Sequence, residues 1–142
     1  GVTYCTAGNS VTYDSNTLAA VYRASGDFGA GMVLAAEWAS AAQHELGLPI
    51  DGPDARLRAD CLTGTWAGDV ARGDRTGNGA SRNGSGKQAS QLSLSPGDLD
   101  QGIATFVAVG GHQDERGSAF TRVAAFRKGF FHGVDACTTV ST

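Results

Sequence analysis

This chain of 142 residues lacks a long apolar run, a cluster of basic residues and a leader-like N-terminus. A membrane-spanning helix needs roughly 18–20 consecutive apolar residues, and no stretch approaches that length. The 11 Lys and Arg residues are dispersed, and 14 Asp and Glu residues outnumber them to give a net charge of −3. Nucleic acid is therefore not expected as the main partner, because phosphate binding needs clustered cations. A charged segment followed by an apolar one is also missing, so any signal peptide is expected to precede residue 1.

Cysteine is scarce, since Cys5, Cys61 and Cys137 are the three in the chain, and they form no C-x-x-C pair. A zinc ribbon or a thioredoxin-type motif is thereby excluded. Two interpretations remain open: three free thiols in a reducing compartment, or one disulfide and one leftover thiol in an oxidising compartment. There is also no G-x-S-x-G elbow, P-loop or dinucleotide fingerprint, so serine-hydrolase, nucleotide-hydrolase and Rossmann functions have no support.

The composition is that of a folded protein, with 41% apolar and 18% charged residues. The length suits a single domain over 1–142 with a sizeable core. Residues 1–25 are predicted to be extended, with a turn at 7–10 and the best strand at 11–14.

Apolar residues at helical spacing predict four helices after this start. Their ranges are about 29–46, about 51–71, a helix that 95–98 opens and 110–111 ends, and about 117–132. A segment at about 72–91, rich in Gly, Ser and Asn, is predicted to be a flexible surface loop. The large apolar side chains of the helices are expected in the core, namely Trp38, Trp66, Leu99, Ile103, Phe106, Val107, Phe120, Val123, Phe126 and Phe130. The predicted class is α+β, mainly helical, with a small N-terminal sheet.

The stretch from Ala36 to Ser40, Ala-Glu-Trp-Ala-Ser, has the layout of a zinc-protease helix. Such a helix carries two His residues at i and i+4, with a Glu after the first as general base. Glu37 stands at the position of the base, but the ligand positions hold Ala36 and Ser40. Alanine cannot coordinate a metal, and a neutral serine hydroxyl is a poor zinc ligand.

Several strings, in the same order along the chain, resemble a bacterial family of neutral zinc metallopeptidases. Residues 3–14 resemble the family's F-Y-C-P-A-D-x-x-V-Y-x-D, 35–47 its A-H-E-x-G-H-x-x-Q-x-x-L-G helix, and 56–67 its E-L-Q-A-D-C-x-A-G-x-W-A helix. Further matches are P-G-D-L at 96–99, a G-S-x-x-x-R-x-x-x-F-x-x-G-F segment at 117–130, and Cys137. The resemblance covers nearly the whole chain and implies a zincin-like fold.

The family's metal ligands are nevertheless missing from this sequence. Its His pair falls on Ala36 and Ser40, and its acidic third ligand falls on Arg56. A further family His falls on Arg116. Because a catalytic zinc needs three protein ligands and one open position, the resemblance implies a site that has lost its metal and needs no cofactor.

Glu37 has two interpretations, a surviving general base or a carboxylate that has acquired a new partner. A lone Glu gives little catalysis without an activated nucleophile, which favours the second. We expect Arg56, and also Arg116, to supply positive charge where the metal would stand and to pair with Glu37. The physical reason is that a buried unpaired charge costs several kcal/mol.

A relocated metal site is the alternative. His44 lies seven residues after Glu37, on nearly the same face of a helix, and His112 and His132 are the other histidines. A site built from Glu37, His44 and His112 or His132 would make the chain an active hydrolase.

The resemblance also implies a disulfide between Cys61 and Cys137, with Cys5 left over. It implies an exported or membrane-anchored bacterial protein, with any anchor preceding residue 1, and therefore an extracytoplasmic location. The predicted function is that of a catalytically inactive metallopeptidase-like domain, which binds a protein or peptide partner in the cell envelope.

Overall fold

Four helices and one two-stranded sheet make up the part of the chain that the structure describes, a computed structural model covering residues 1–76, 94–109 and 118–140. At 74–76 it describes the backbone only. In chain order the elements are β1 (Val2–Cys5), β2 (Ser10–Tyr13), α1 (Ser15–Glu45), α2 (Pro53–Thr76), α3 (Asp98–Val109) and α4 (Ala119–His132). Short 3₁₀ turns cover Thr6–Gly8 and Val134–Thr139. The predicted class, mainly helical with a small N-terminal sheet, is confirmed.

The N-terminal sheet is an antiparallel hairpin of β1 and β2. Tyr4 stands opposite Val11, and Cys5 opposite Ser10. Asn9 closes the connection in the left-handed region with φ 43°, a conformation that Asn tolerates better than most residues. The predicted strand and turn are therefore confirmed, with the strand one residue earlier than predicted.

Helix α1 begins at Ser15, so the prediction that 15–25 is extended is wrong. The carboxylate of Asp14 caps the helix by accepting hydrogen bonds from the backbone N–H groups of Asn16 and Thr17, at 2.7 and 3.0 Å. These two bonds hold the pKa of Asp14 below its ordinary value. Asp14 to Thr17 thus form the cap and first turn of α1. Gly26, with φ 68° and ψ −169°, interrupts the helix, which then continues to Glu45.

Helix α2 runs past the end predicted for it, so the proposed start of the loop at 72 is wrong. Arg72 holds its last turns in place. The guanidinium donates to the carbonyl of Phe130 at 3.0 Å and to the carboxylate of Asp69 at 2.6 Å. The rest of the predicted loop, 77–91, lies outside the described residues, as does the predicted end of the third helix at 110–111.

Helix α3 begins at Asp98, the last residue of the predicted opening at 95–98. The backbone N–H of Ser95 donates to the Asp98 carboxylate at 2.6 Å, and the carbonyl of Gly97 accepts from Gln101 at 3.0 Å. This is the acidic half of a capping box.

The core has two clusters. The larger lies between α1, α2, α3 and α4, and its buried members are Phe28, Met32, Ala67, Phe106 and Phe126. The predicted stripe of α3 is confirmed, since Leu99, Ile103 and Val107 pack against this cluster around the buried Phe106. The smaller cluster contains Leu57, Cys61, Ala125, Cys137 and Val140.

Two of the predicted core aromatics lie at the surface instead. Phe120 is 84% exposed and Trp38 is 66% exposed, so their predicted burial is wrong.

Cys61 and Cys137 form a disulfide that ties α2 to the C-terminal 3₁₀ turn, with their Cα atoms 5.5 Å apart. This confirms the pairing that the family resemblance implies. Cys5 is exposed and free.

Candidate functional site

Glu37 is held by the N-terminal hairpin. Its Oε2 accepts a hydrogen bond of 2.9 Å from the backbone N–H of Tyr4. The register explains why this donor is available: Gly1 and Asp14 are bonded across the hairpin at 2.9 Å, so every second residue of β1, including Tyr4, points its N–H away from β2. The Glu37 carboxylate therefore pairs with a backbone N–H of β1 that points away from β2.

The predicted ion pair with Arg56 is not found in the part of the chain that the structure describes, where Glu37 has the Tyr4 amide as its partner. Arg56 lies in the first turn of α2, its backbone N–H donating to the carbonyl of Gly52 at 3.1 Å. Arg116, the second predicted partner, lies outside the described residues.

The side chain of Tyr4 also contacts His44. The Tyr4 hydroxyl lies 2.9 Å from Oδ1 of Asn9 and 2.9 Å from Nδ1 of His44. Asn9 donates its amide to Glu45 at 2.7 Å, so its oxygen faces the tyrosine and accepts the hydroxyl proton. Nδ1 of His44 is then the donor to the Tyr4 oxygen. Glu37 and His44 thus lie on one helical face, as their spacing predicts, and both contact Tyr4.

This environment alters the ionisation of Tyr4. Burial raises the pKa of its phenol above the ordinary 10.0, and the charges of Glu45 and Cys5 raise it further. The phenol therefore stays protonated, able to donate to Asn9 through the neutral range.

A metal site is not formed by the described residues. No group of three His, Cys, Asp or Glu side chains among them lies close enough to hold an ion. His132 is the last residue of α4. His112 lies outside the described residues, so a relocated site that includes His112 stays a prediction.

A cavity of about 150 Å³ lies beside Glu37. Ala36 and Glu37 line it together with Met32, Phe106 and Arg122. Of the four predicted vestigial positions in the described residues, the structure thus brings Ala36 and Glu37 into one cavity, while Ser40 and Arg56 are not part of its wall. The wall is largely apolar, and the Glu37 carboxylate there is already engaged by Tyr4.

Arg122, which also lines this cavity, is part of a buried ion pair. Its Nε lies 3.2 Å from Oδ2 of Asp60, and their side chains are 4% and 1% exposed. The other guanidinium nitrogens donate to the carbonyls of Phe106 and Val107 at 3.1 and 3.2 Å. One side chain on α4 therefore joins α2 to the C-terminal end of α3. The sequence shows both residues only as parts of family strings, and nothing in their spacing reveals the pair.

A second concavity, which we call the tryptophan groove, lies between α1 and α2. Its lining residues are Gly31, Leu34, Ala35, Trp38, Ala39, Leu62 and Trp66, and its volume is about 480 Å³. Trp66 stacks on Phe28 at 5.7 Å between ring centroids and leaves an edge in the groove. It can lie there because α1 has no side chain at Gly31, where a Cβ would come within 2.8 Å of the ring.

Sequence reasoning missed the tryptophan groove because large aromatics were assigned to the core by default. Leu34 and Trp38, four residues apart, form a second apolar line on α1, beside the line of buried residues that contains Met32 and Ala39. That second line was the available signal.

Comparisons with models of protein families, with curated proteins and with solved structures each find no match for this chain. Among the described helices, none is long and apolar enough to cross a membrane.

Proposed function

We propose that this chain is a catalytically inactive, metallopeptidase-like domain of zincin-like fold, which binds a protein or peptide partner in the bacterial cell envelope. The observation that carries the loss of catalysis is the hydrogen bond from the Tyr4 amide to the Glu37 carboxylate. A general base must reach the water that it deprotonates, and the water must be activated. Here the Glu37 carboxylate instead accepts a hydrogen bond from the hairpin backbone. Ala36 and Ser40 beside it do not provide a pair of metal ligands.

The binding surface in this proposal is the tryptophan groove. Trp38 is 66% exposed, an unusual state for the side chain that contributes most apolar area. Tryptophan is also among the residues that dominate binding energy at interfaces. An apolar concavity between two helices suits a peptide segment with aliphatic or aromatic side chains.

The extracytoplasmic setting is supported by the disulfide between Cys61 and Cys137. Disulfides persist in oxidising compartments and are rare where thiols are kept reduced. The bacterial origin and the zincin-like fold depend on the family resemblance of the sequence strings.

Peptide selection with a fluorescence readout tests the groove. The chain contains two tryptophans, and both line the groove, so tryptophan emission responds to a peptide bound there. A library of random peptides displayed on phage is selected against the wild-type protein, and the enriched peptides are synthesised and titrated. We expect peptides with apolar side chains that shift tryptophan emission saturably and whose affinity falls about tenfold or more for Trp38→Ala, as for an interface anchor.

Tyr22→Ala is the matched control, because Tyr22 is also an exposed aromatic of α1, 57% exposed, and is not part of the groove wall. It should leave the affinity unchanged. Failure to enrich any saturable peptide, or equal affinity for wild-type and Trp38→Ala, would overturn the groove as the binding site.

A further inference from the structure

The outer face of α4 carries exposed aromatic side chains in a line. Phe120 and Phe131 are 84% and 63% exposed. They lie eleven residues apart with Ala124 and Arg127 between them, at the spacing of 4, 3 and 4 residues that keeps side chains on one face of a helix. The line is about 16 Å long, from the rise of 1.5 Å per residue.

The same face is basic. Residues 118–134 contain no Asp or Glu, in a chain whose net charge is −3. Arg127 and Lys128 are adjacent on it. The guanidinium of Arg127 lies 5.9 Å from the centre of the Phe131 ring, and the ammonium of Lys128 reaches Thr139 at 3.1 Å. Aromatic rings and cations therefore share one surface, which we call the basic aromatic face (Phe120, Ala124, Arg127, Lys128 and Phe131).

We propose that the basic aromatic face adsorbs onto an anionic phospholipid surface. The Phe120 and Phe131 rings enter the interfacial region, while Arg127 and Lys128 meet the phosphate groups. Charge complementarity favours this occupant, because the face is a local excess of cations on an acidic protein. Its shape favours it too: a single helix presents a convex line, which a flat, fluid surface can contact along its length without a complementary groove. The proposal is independent of the tryptophan groove.

Sedimentation with vesicles tests this surface and needs no tryptophan signal. The wild-type protein is mixed with vesicles of phosphatidylcholine alone and with vesicles of phosphatidylcholine and phosphatidylglycerol in equal amounts, at low and at raised salt. We expect partitioning onto the anionic vesicles that weakens with salt. Replacing both cations, Arg127→Gln with Lys128→Gln, should lower it about tenfold or more. The pair Phe120→Ser with Phe131→Ser should lower it by a similar factor.

Tyr22→Ser is the control for the loss of an exposed aromatic, and it should bind as the wild-type does. Circular dichroism melting of each variant separates loss of binding from loss of folding, and the charge pair and the phenylalanine pair test the surface independently. The proposal is overturned by an absence of binding to anionic vesicles, by equal binding to neutral ones, or by equal loss in the control. Capture by polyglutamate beads without binding to vesicles would assign the face to an acidic polypeptide and would also overturn it.

Discussion

The guanidinium of Arg122 is enclosed by groups that match its donors: the Asp60 carboxylate, the carbonyls of Phe106 and Val107, and the ring of Phe106, whose centre lies 4.4 Å away. A buried ion pair of this kind contributes little compared with an apolar replacement of the same shape, but breaking it leaves a charge in a medium of low polarity. Its effect is to fix how α2, α3 and α4 meet beside the Glu37 cavity.

Removing one member of this pair is expected to destabilise the protein strongly. Arg122→Met leaves the buried Asp60 carboxylate without this guanidinium, and we expect a loss of about 3–5 kcal/mol in the free energy of unfolding. The double variant Asp60→Leu with Arg122→Met should lose less than the sum of the single variants. Urea denaturation of all four proteins checks this, and a loss below about 1 kcal/mol in Arg122→Met would contradict the ion pair as described.

Tyr4 gives the stability a specific dependence on pH. Its pKa is raised in the folded protein, so as the pH rises past 10.0 the unfolded chain loses the phenol proton before the folded one does. The stabilisation from this group is complete below that pH and decreases above it. We expect the urea midpoint of the wild-type to fall between about pH 9 and pH 11 by more than that of Tyr4→Phe. Identical curves for Tyr4→Phe and the wild-type would refute the raised pKa of Tyr4.

At the scale of the elements, α2 and α4 approach closely because a glycine on each helix faces the backbone of the other helix. A Cβ at Gly64 would collide with the carbonyl oxygen of Phe126, and a Cβ at Gly129 would collide with that of Cys61. The collision partners are backbone atoms, which cannot move aside as a side chain can. Contact between these two helices therefore requires glycine at both positions.

Alanine at either glycine is expected to push the helices apart. For Gly64→Ala and Gly129→Ala we expect a loss of about 3 kcal/mol or more, at the upper end of overpacking costs. Gly73→Ala is the matched control in α2, because among the described residues no atom outside its own helix backbone and chain neighbours lies within 4 Å of its Cβ position. There the better helix propensity of alanine should stabilise by about 0.5–1 kcal/mol. Thermal melting of the three variants compares them directly, and equal melting temperatures would rule out the close approach.

The elements also show where sequence patterns succeed and fail. The start of α4 was predictable because Ser118, a good capping residue, precedes the periodic apolar positions, and its hydroxyl does accept from Thr121 at 3.2 Å. The prediction for residues 15–25 was wrong because Thr, Val and Tyr in this segment favour strands locally. The Asp14 cap and the alanines favour a helix, which is the structure that forms. Exposure of Trp38 and Phe120 depends on where neighbouring helices lie, which local spacing does not contain. The Tyr4 contact with Glu37 joins residues 33 positions apart and depends on the placement of the hairpin.

At the scale of the molecule, the disulfide closes a long loop in the covalent structure of the chain. Cys61 and Cys137 are 76 residues apart, a separation for which loop closure in the unfolded chain is worth about 4 kcal/mol. The bond also lies inside the smaller core cluster, so it holds the C-terminal turn onto α2.

Loss of the disulfide should lower stability by about that amount. Cys137→Ala, or reduction of the wild-type, is expected to lower the urea midpoint clearly, while Cys5→Ala should leave it unchanged because Cys5 is exposed and free. Alkylation of the denatured protein without reductant should label Cys5 alone. Labelling of all three cysteines would contradict the bond.

The central proposal, that this domain carries out no zinc chemistry, is tested at Glu37. The direct measurement is cleavage of an unfolded protein substrate by the wild-type and by Glu37→Gln, with added zinc and with EDTA, in the same assay. Glutamine keeps an oxygen that can accept from the Tyr4 amide, so this variant should retain the fold while it removes the base. We predict no cleavage above background in any condition and no difference between the two proteins. Zinc-dependent cleavage that EDTA stops and Glu37→Gln abolishes would contradict an inactive domain and would make the relocated metal site the better explanation.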